Sequence, residues 1–201
     1  MTRAARQEKW QRIPRTQLEP SHVSGCSVLP SKVHLLHALP KGGVVAEIGV
    51  AEGALSTQIL DICSPSRLHL IDAWEGERYA GGLAVVTAKF ADEISSGKVI
   101  LNRGRSTESL ATFPDAYFDW VYLDTAHSFA TTWDELRLCA SKVKPGGRIA
   151  GHDFCTGNPV TPVVYGVVQA CHKFCVEHSW RYEFLTLDPT GYFSFCLRPI
   201  S

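Results

Sequence analysis

The feature that most constrains this chain is an alternation of short apolar strand patterns with helical ones, running from Val44 to the C-terminus. Strands are expected over Val44–Val50, Arg67–Trp74, Val99–Asn102, Phe118–Asp124, Arg148–Asp153, Tyr182–Leu187 and Tyr192–Leu197. Helices are expected over Ser31–Leu39, Ala54–Cys63, Gly82–Ser95, Thr132–Lys144 and Pro162–Ser179. Such alternation demands crossover connections and hence a mostly parallel sheet covered by helices on both faces. The last two strands are joined only by the turn "DPTG", too short for a crossover, so they form a hairpin and bring one antiparallel strand into the sheet. The expected fold is α/β and doubly wound, with seven strands and an antiparallel C-terminal hairpin strand. Ligands in such sheets bind at the C-terminal strand ends, near the switch in strand order.

Four strand ends carry chemistry. "FDWVYLDTAH" ends in Asp124 with His127 three residues on, and "GGRIAGHDF" ends in His152 and Asp153, groups that are costly to bury without partners. "VVAEIGVAEG" places Glu47, Gly49, Val50 and Gly53 at the first strand-to-helix turn, where glycine permits close backbone approach and helix amides can receive an anion. The next strand, "LHLIDAW", ends in Asp72, about twenty residues past that turn, which suits the two hydroxyls of a ribose; a cap on the following segment is the alternative. The turn has Ala51 and Glu52 where a dinucleotide site carries glycine, which disfavours a pyrophosphate and suits a sulfonium with an amino-acid tail.

At 201 residues one domain is expected, Ser31 to Ser201, preceded by a leader over residues 1–30. Twenty basic residues balance twenty acidic ones, so net charge argues for neither nucleic acid nor a membrane surface. The leader is the exception: Arg3, Arg6, Lys9, Arg12 and Arg15 face only Glu8. A transit peptide, a phosphate-binding arm and a solvated leader all fit that composition. With no apolar run of membrane-spanning length and no apolar signal core, a cytoplasmic protein is expected. Seven scattered cysteines are unlike a disulfide framework, and Cys171, Cys175 and His178 continue an apolar helix face rather than forming a metal site.

Taken in order, Glu47-x-Gly49, Asp72, "GRSTESL", Asp124, "KPGG" and the terminal hairpin resemble the class I S-adenosylmethionine-dependent methyltransferases, over Val44 to Pro199. "LDTAHSF", "KPGGRIAGHDF" and "VVYGVVQACHKF" are similar to small-molecule O-methyltransferases of the catechol, macrolide-sugar and cephalosporin-related kinds. The resemblance implies S-adenosylmethionine as cofactor, Glu47 and Gly49 beside its methionine part, and Asp72 on the ribose. It implies Ser106 by the adenine, flanked by Ala73 and Trp74. Ala51 departs from the middle glycine of many members.

Metal-dependent relatives imply a divalent cation, magnesium or manganese, held by Asp124, His152 and Asp153, with the His152 nitrogen shifting preference away from magnesium. His127 lies where catechol-type relatives place a basic residue facing the acceptor, and is the candidate base; His152 takes that role if no metal binds. Simpler roles stay open: Asp124 on the cofactor amino group, Asp153 capping a turn, His127 fixing its loop. "WEGERYAGG" and "CTGNPVTPVVYG", with Tyr165, are candidate walls of the acceptor pocket. A small-molecule hydroxyl acceptor is implied, and a homodimer through the leader or terminal strands stays open. The rival functions are a nicotinamide-dependent oxidoreductase and a non-catalytic nucleoside-binding protein of the same fold.

Overall fold

The computed structural model describes residues 2–158 and 160–200. One eight-stranded sheet runs through it: β1 (Ser27–Leu29), β2 (Val44–Ile48), β3 (Arg67–Asp72), β4 (Val99–Arg103), β5 (Phe118–Leu123), β6 (Val143–Gly151), β7 (Trp180–Thr186) and β8 (Phe195–Pro199). The order is β1-β7-β8-β6-β5-β2-β3-β4, and β8 alone runs antiparallel to its neighbours β6 and β7. Strand order reverses between β2 and β5, the pair that carries Gly49 and Asp124 just past its ends.

The middle strands are buried on both faces, as parallel strands under helices must be. In β5, Val121 and Leu123 pack into one core with Ile48, Leu136 and Phe174, while Trp120 and Tyr122 pack into the other with Val45, Leu68 and Ile59. Helices α2 (Lys32–Ala38), α3 (Ala54–Cys63), α4 (Gly82–Lys89), α5 (Ala91–Ser95), α6 (Ser106–Thr112), α7 (Phe129–Lys142) and α8 (Val167–His178) cover these cores, and α1 (Arg3–Arg12) lies outside them with no buried residue. Helix α7 is set by its sequence at its start and along its length: the Ser128 hydroxyl accepts the Thr131 amide, and Thr132, Glu135, Leu136 and Cys139 form its buried stripe. Among the described residues no helix is long and apolar enough to cross a membrane.

Several boundaries differ from the sequence expectation. The sheet has an eighth strand, β1, which joins its edge parallel to β7; three residues, two of them exposed, leave no apolar pattern to read. The expected helix over Gly82–Ser95 is two helices meeting at Phe90. The helix expected from Pro162 begins only at Val167, after Gly166, because residues 157–164 close a bridge of their own between Gly157 and Val164. "KPGG" belongs to β6 as a bulge: pairing jumps from Phe118 with Val143 to Trp120 with Arg148. Helix α6, which carries Ser106 in its first turn, adds an element. Cys171 and Cys175 are buried in the α8 face, and the His178 ring stacks on Phe174 at 5.0 Å, so this trio is core and its margin.

Leu136 is fully buried between α7 and the sheet. Leu136→Ala is expected to lower the unfolding free energy by about 2–5 kcal/mol in a denaturant titration, the range for deleting a core leucine side chain.

Candidate functional site

The site is built where β2, β3, β5 and β6 end. The Gly49 amide donates to Ile71 O (2.9 Å) and the Asp124 amide to Ile48 O (2.8 Å), which carries the sheet one step past the strands. Gly49 stands at φ +91°, and a Cβ there would lie 1.9 Å from the Asp124 carbonyl oxygen. Any side chain at this position would push the end of β5 away from the turn. Gly53, at φ +71°, opens α3 with the Phe90 ring packed against it.

Asp72 organises this turn. Its Oδ2 accepts the amides of Val50 (2.7 Å) and Ala51 (3.0 Å), and its Oδ1 accepts the amide of Trp74 (2.7 Å). The buried Trp74 ring donates from Nε1 to Ala51 O (2.9 Å), which closes the loop from the other side. Ala51 holds the left-handed conformation, φ 51°, that a middle glycine would adopt without cost. Glu47 faces inward from β2, buried, and receives a hydrogen bond from the Ser56 hydroxyl of α3. Burial pushes its carboxyl up to about 8, with the charges of Asp124 and Asp72 adding to the rise against the Ser56 bond and Lys32.

At the β5 and β6 ends the second group assembles. His127 Nε2 lies 2.7 Å from Asp153 Oδ2 and 3.2 Å from Asp124 Oδ1; His152 Nδ1 lies 3.7 Å from Asp153 Oδ2 and 3.8 Å from Asp124 Oδ2. One ligand atom each from Asp124, His152 and Asp153 falls within 4.8 Å of the others. Burial acts to deprotonate His127, but hydrogen bonds and charges from Asp124 and Asp153 outweigh it and raise the imidazole to about 9. Burial acts to raise Asp153, but His127 and His152 hold its carboxyl well below the usual range. His127 (φ 55°) and Asp153 (φ 53°) are both left-handed, a conformation that costs about 1–3 kcal/mol at a non-glycine residue and gathers at functional sites.

The surroundings fix these rings. Gly166 N donates to His127 O (2.9 Å), Tyr165 lies 4.8 Å from the His127 ring, and Tyr192 stacks on His152 at 6.2 Å. Asn158 Nδ2 donates to the Tyr165 hydroxyl (3.0 Å) and holds that ring in place. A divalent cation fits this donor set. Two carboxylates and an imidazole converge, and Asp153 Oδ1 is buried without a hydrogen-bond partner, an acceptor that the fold leaves unsatisfied.

The structure therefore gathers Asp124, His127, His152 and Asp153 in one cluster. It gathers Glu47, Gly49, Val50, Gly53, Asp72, Ala73 and Trp74 around the glycine turn, and Gly49 against Asp124 joins the two groups. Ser106 lies in the first turn of α6, hydrogen-bonded to Glu135. Glu135 and Thr125 escaped the sequence reading. The Thr125 hydroxyl donates to both Glu135 oxygens (2.8 and 2.9 Å), and burial pushes the Glu135 carboxyl up against those bonds. A cavity of about 10 Å³, enough for one water-sized occupant, is lined by Glu135 and Thr125 together with His127 and His152. The signal for Glu135 was present: Thr132, Glu135, Leu136 and Cys139 share the inward face of α7 at helical spacing.

This sheet order, with a ligand-ready turn at the strand-order switch, defines the class I methyltransferase fold. A family model described as "Methyltransferase domain" matches residues 46–154, more than half of the chain, and the chain belongs to that family. No curated protein matches the sequence. Among solved structures, the pyocyanin biosynthetic protein PhzM is similar at TM-score 0.62 and 15% identity, over 82% of this chain and 54% of its own, so this chain spans about half of PhzM. The 1,6-didemethyltoxoflavin-N1-methyltransferase of Burkholderia thailandensis aligns at TM-score 0.60 and 15% identity, over 84% of this chain and 76% of that one. An O-methyltransferase family protein of Burkholderia thailandensis aligns at 0.61 and 13%, over 84% and 55%. These likenesses concern the fold, and they join one protein named for nitrogen to one named for oxygen.

The His127 arrangement has a pH signature. Its folded-state pKa of about 9 lies above the ordinary 6.5, so the stabilisation it provides is complete below about pH 6.5 and is lost as pH rises toward 9. In chelator-treated protein, an NMR titration of the His127 ring is expected to report a midpoint near 9. His127→Gln is expected to remove the accompanying fall in stability between pH 6.5 and 9.

Proposed function

We propose that the chain transfers the methyl group of S-adenosylmethionine to a hydroxyl of a small molecule, with His127 as base, a divalent cation at Asp124, His152 and Asp153, or both. The observation that carries this reading is the meeting of two carboxylates and two imidazoles beside the glycine turn of a methyltransferase-family chain. The same family membership favours it over a nicotinamide oxidoreductase. The cluster favours it over a binding protein, which needs no such group at the strand ends.

S-adenosylmethionine supplies an electrophilic methyl carbon. The chain's own part begins with the turn: Glu47, Gly49, Val50 and Gly53 would receive the methionine end, and Asp72 the ribose. Ala73, Trp74 and Ser106 would border the adenine. Three of the roughly four lone-pair positions of the Asp72 carboxylate already take amides. One position is left for a ribose hydroxyl, and the amides hold it in place.

Methyl transfer to oxygen needs the acceptor held in line and its proton removed. His127 would act as base only where a cation between the carboxylates relieves their hold on its proton, and Tyr165 packs against its ring. A divalent cation at Asp124, His152 and Asp153 would lower the pKa of the acceptor hydroxyl and orient it. The nitrogen ligand favours manganese, iron or zinc over magnesium. Residues 31–201 would form the methyltransferase domain, with residues 1–30 as a leading arm that joins the sheet edge through β1.

Calorimetry with S-adenosylhomocysteine, with and without manganese, and transfer of labelled methyl to a panel of catechols and sugars test this reading. Asp72→Ala is expected to weaken S-adenosylhomocysteine at least about tenfold, one charge-assisted hydrogen bond's worth. His127→Ala is expected to spare that binding and slow turnover about 10²–10⁴-fold. Asp153→Asn is expected to weaken manganese, read by its electron spin resonance, without changing S-adenosylhomocysteine affinity. Loss of cofactor binding in His127→Ala with retention in Asp72→Ala would overturn these roles.

A further inference from the structure

The proposed chemistry leaves one buried acid unused. Glu135 sits on the inward stripe of α7 with 1% of its surface exposed, beside stripe positions that carry Leu136 and Cys139. A carboxyl is costly in such a place, and an apolar residue would pack α7 onto the sheet without that cost. What Glu135 does instead is tie three segments together. Its two oxygens share the Thr125 hydroxyl, just past β5, at 2.8 and 2.9 Å, and it accepts a further bond from Ser106 in the first turn of α6. Burial pushes the carboxyl up, while the Ser106 and Thr125 bonds and the charge of His127 oppose the rise, so the imidazole lies within its electrostatic reach.

Thr125 belongs to the short turn that carries Asp124 and His127. The main chain of this turn is held at its two ends, by Asp124 N to Ile48 O (2.8 Å) and by Gly166 N to His127 O (2.9 Å). Between them the Thr125 hydroxyl is a third point of attachment, and its partner is Glu135. The turn needs that hold: His127 is left-handed, φ 55°, a conformation that persists at a non-glycine residue only where the surroundings fix it. The cavity of about 10 Å³ offers a second connection. Five of its eight lining residues are polar, Thr125, His127, Thr132, Glu135 and His152, so a single bound water would find the roughly two to four partners it requires.

We propose that Glu135 is a positioning residue of the strand-end cluster: through the Thr125 hydroxyl, and through one water held in this cavity, it keeps His127 in its left-handed conformation and so against Asp124 and Asp153. The inference rests on the methyltransferase reading only for what the cluster does; the positioning stands on the bonds of Glu135. A carboxyl suits the task, since its two oxygens offer roughly four lone-pair positions when ionised, enough for both hydroxyls and the water. Released from Thr125, the turn is free to relax and to carry the imidazole with it. A displacement of about 1 Å is enough to slow an in-line transfer about 10²-fold.

The test follows the Nε2 proton of His127 by NMR in the full chain, chelator-treated, at about pH 6.5, where the imidazole is protonated and bonded to both carboxylates. Exchange of that proton with water reads how firmly the ring is held, and it needs neither cation nor cofactor. Glu135→Leu and Thr125→Val are each expected to speed the exchange at least about tenfold, the weight of one hydrogen bond to a charged group. Combined, they are expected to lose no more than the larger single loss, because both break the same bond. Glu135→Gln keeps an acceptor for Thr125 and is expected to restore slow exchange. A long-lived water with Overhauser contacts to the Thr125 and Thr132 methyl groups is expected in the unaltered chain and lost in Glu135→Leu. Unchanged exchange in Glu135→Leu and Thr125→Val, additive losses in the pair, no rescue by glutamine, or no long-lived water would overturn the proposal. Failure of S-adenosylhomocysteine to bind the unaltered chain while the ring proton behaves as expected would overturn the methyltransferase reading and leave the positioning role standing.

Discussion

The contact on which the site depends is the one between Gly49 and the Asp124 carbonyl. A parallel sheet offers a crevice only where strand order reverses, in this chain between β2 and β5. At that place the two chain segments must also come close enough for their loops to form one surface. Glycine allows it: with no Cβ, the backbone past β2 lies against the backbone past β5, and Asp124 N still reaches Ile48 O. Asp124 is therefore fixed in relation to the turn by main-chain atoms, and its side chain is free to serve the cluster. A Cβ at position 49 would separate the turn from the carboxylates while leaving each intact.

Electrostatics then decides what the cluster can be. Two carboxylates that reach toward the same imidazole repel one another in a half-buried place, and something positive must lie between them. In the protein alone the His127 proton does this, which is why that imidazole is held to about 9 despite its burial. A base must be able to accept a proton, and His127 in this state already has one. A divalent cation would satisfy the same oxygens, Asp153 Oδ1 included, and would remove what keeps the proton on His127. Base and cation would thus be coupled in one cluster: an ion held by Asp124, His152 and Asp153 would weaken what keeps the proton on His127.

What could be read beforehand follows from periodicity. The central strands and α3 are long, apolar and bounded by turn residues, so their existence and near ends were legible. The strand ends that hold Asp72, Asp124 and Asp153 were legible for the same reason. β1 and α1 were not, because neither buries enough apolar surface to leave a pattern; one is held by edge pairing with β7, the other buries no residue at all. The false start of α8 at Pro162 came from apolar residues that belong to a bridged loop. The bond between His127 and Asp153 spans 26 positions and exists only because β5 and β6 are neighbours, which no local spacing reports. Glu135 was readable from the face of α7 but lacked a reason, since its partners Thr125 and Ser106 come from other segments.

The departure at Ala51 finds its explanation in Asp72. A left-handed alanine costs roughly 1–2 kcal/mol more than glycine, and the turn keeps it because other bonds set its shape. Asp72 takes the amides of both Val50 and Ala51, and Trp74 takes the Ala51 carbonyl. Hydrogen bonds to a charged group are each worth about 1.5–3 kcal/mol, enough to outweigh the strain. The geometry that a glycine-rich turn owes to its glycines is imposed in this chain by a carboxylate. The same carboxylate is the group proposed to meet the ribose, so shape and recognition rest on one side chain. A change at Asp72 would loosen the turn before any ligand arrived.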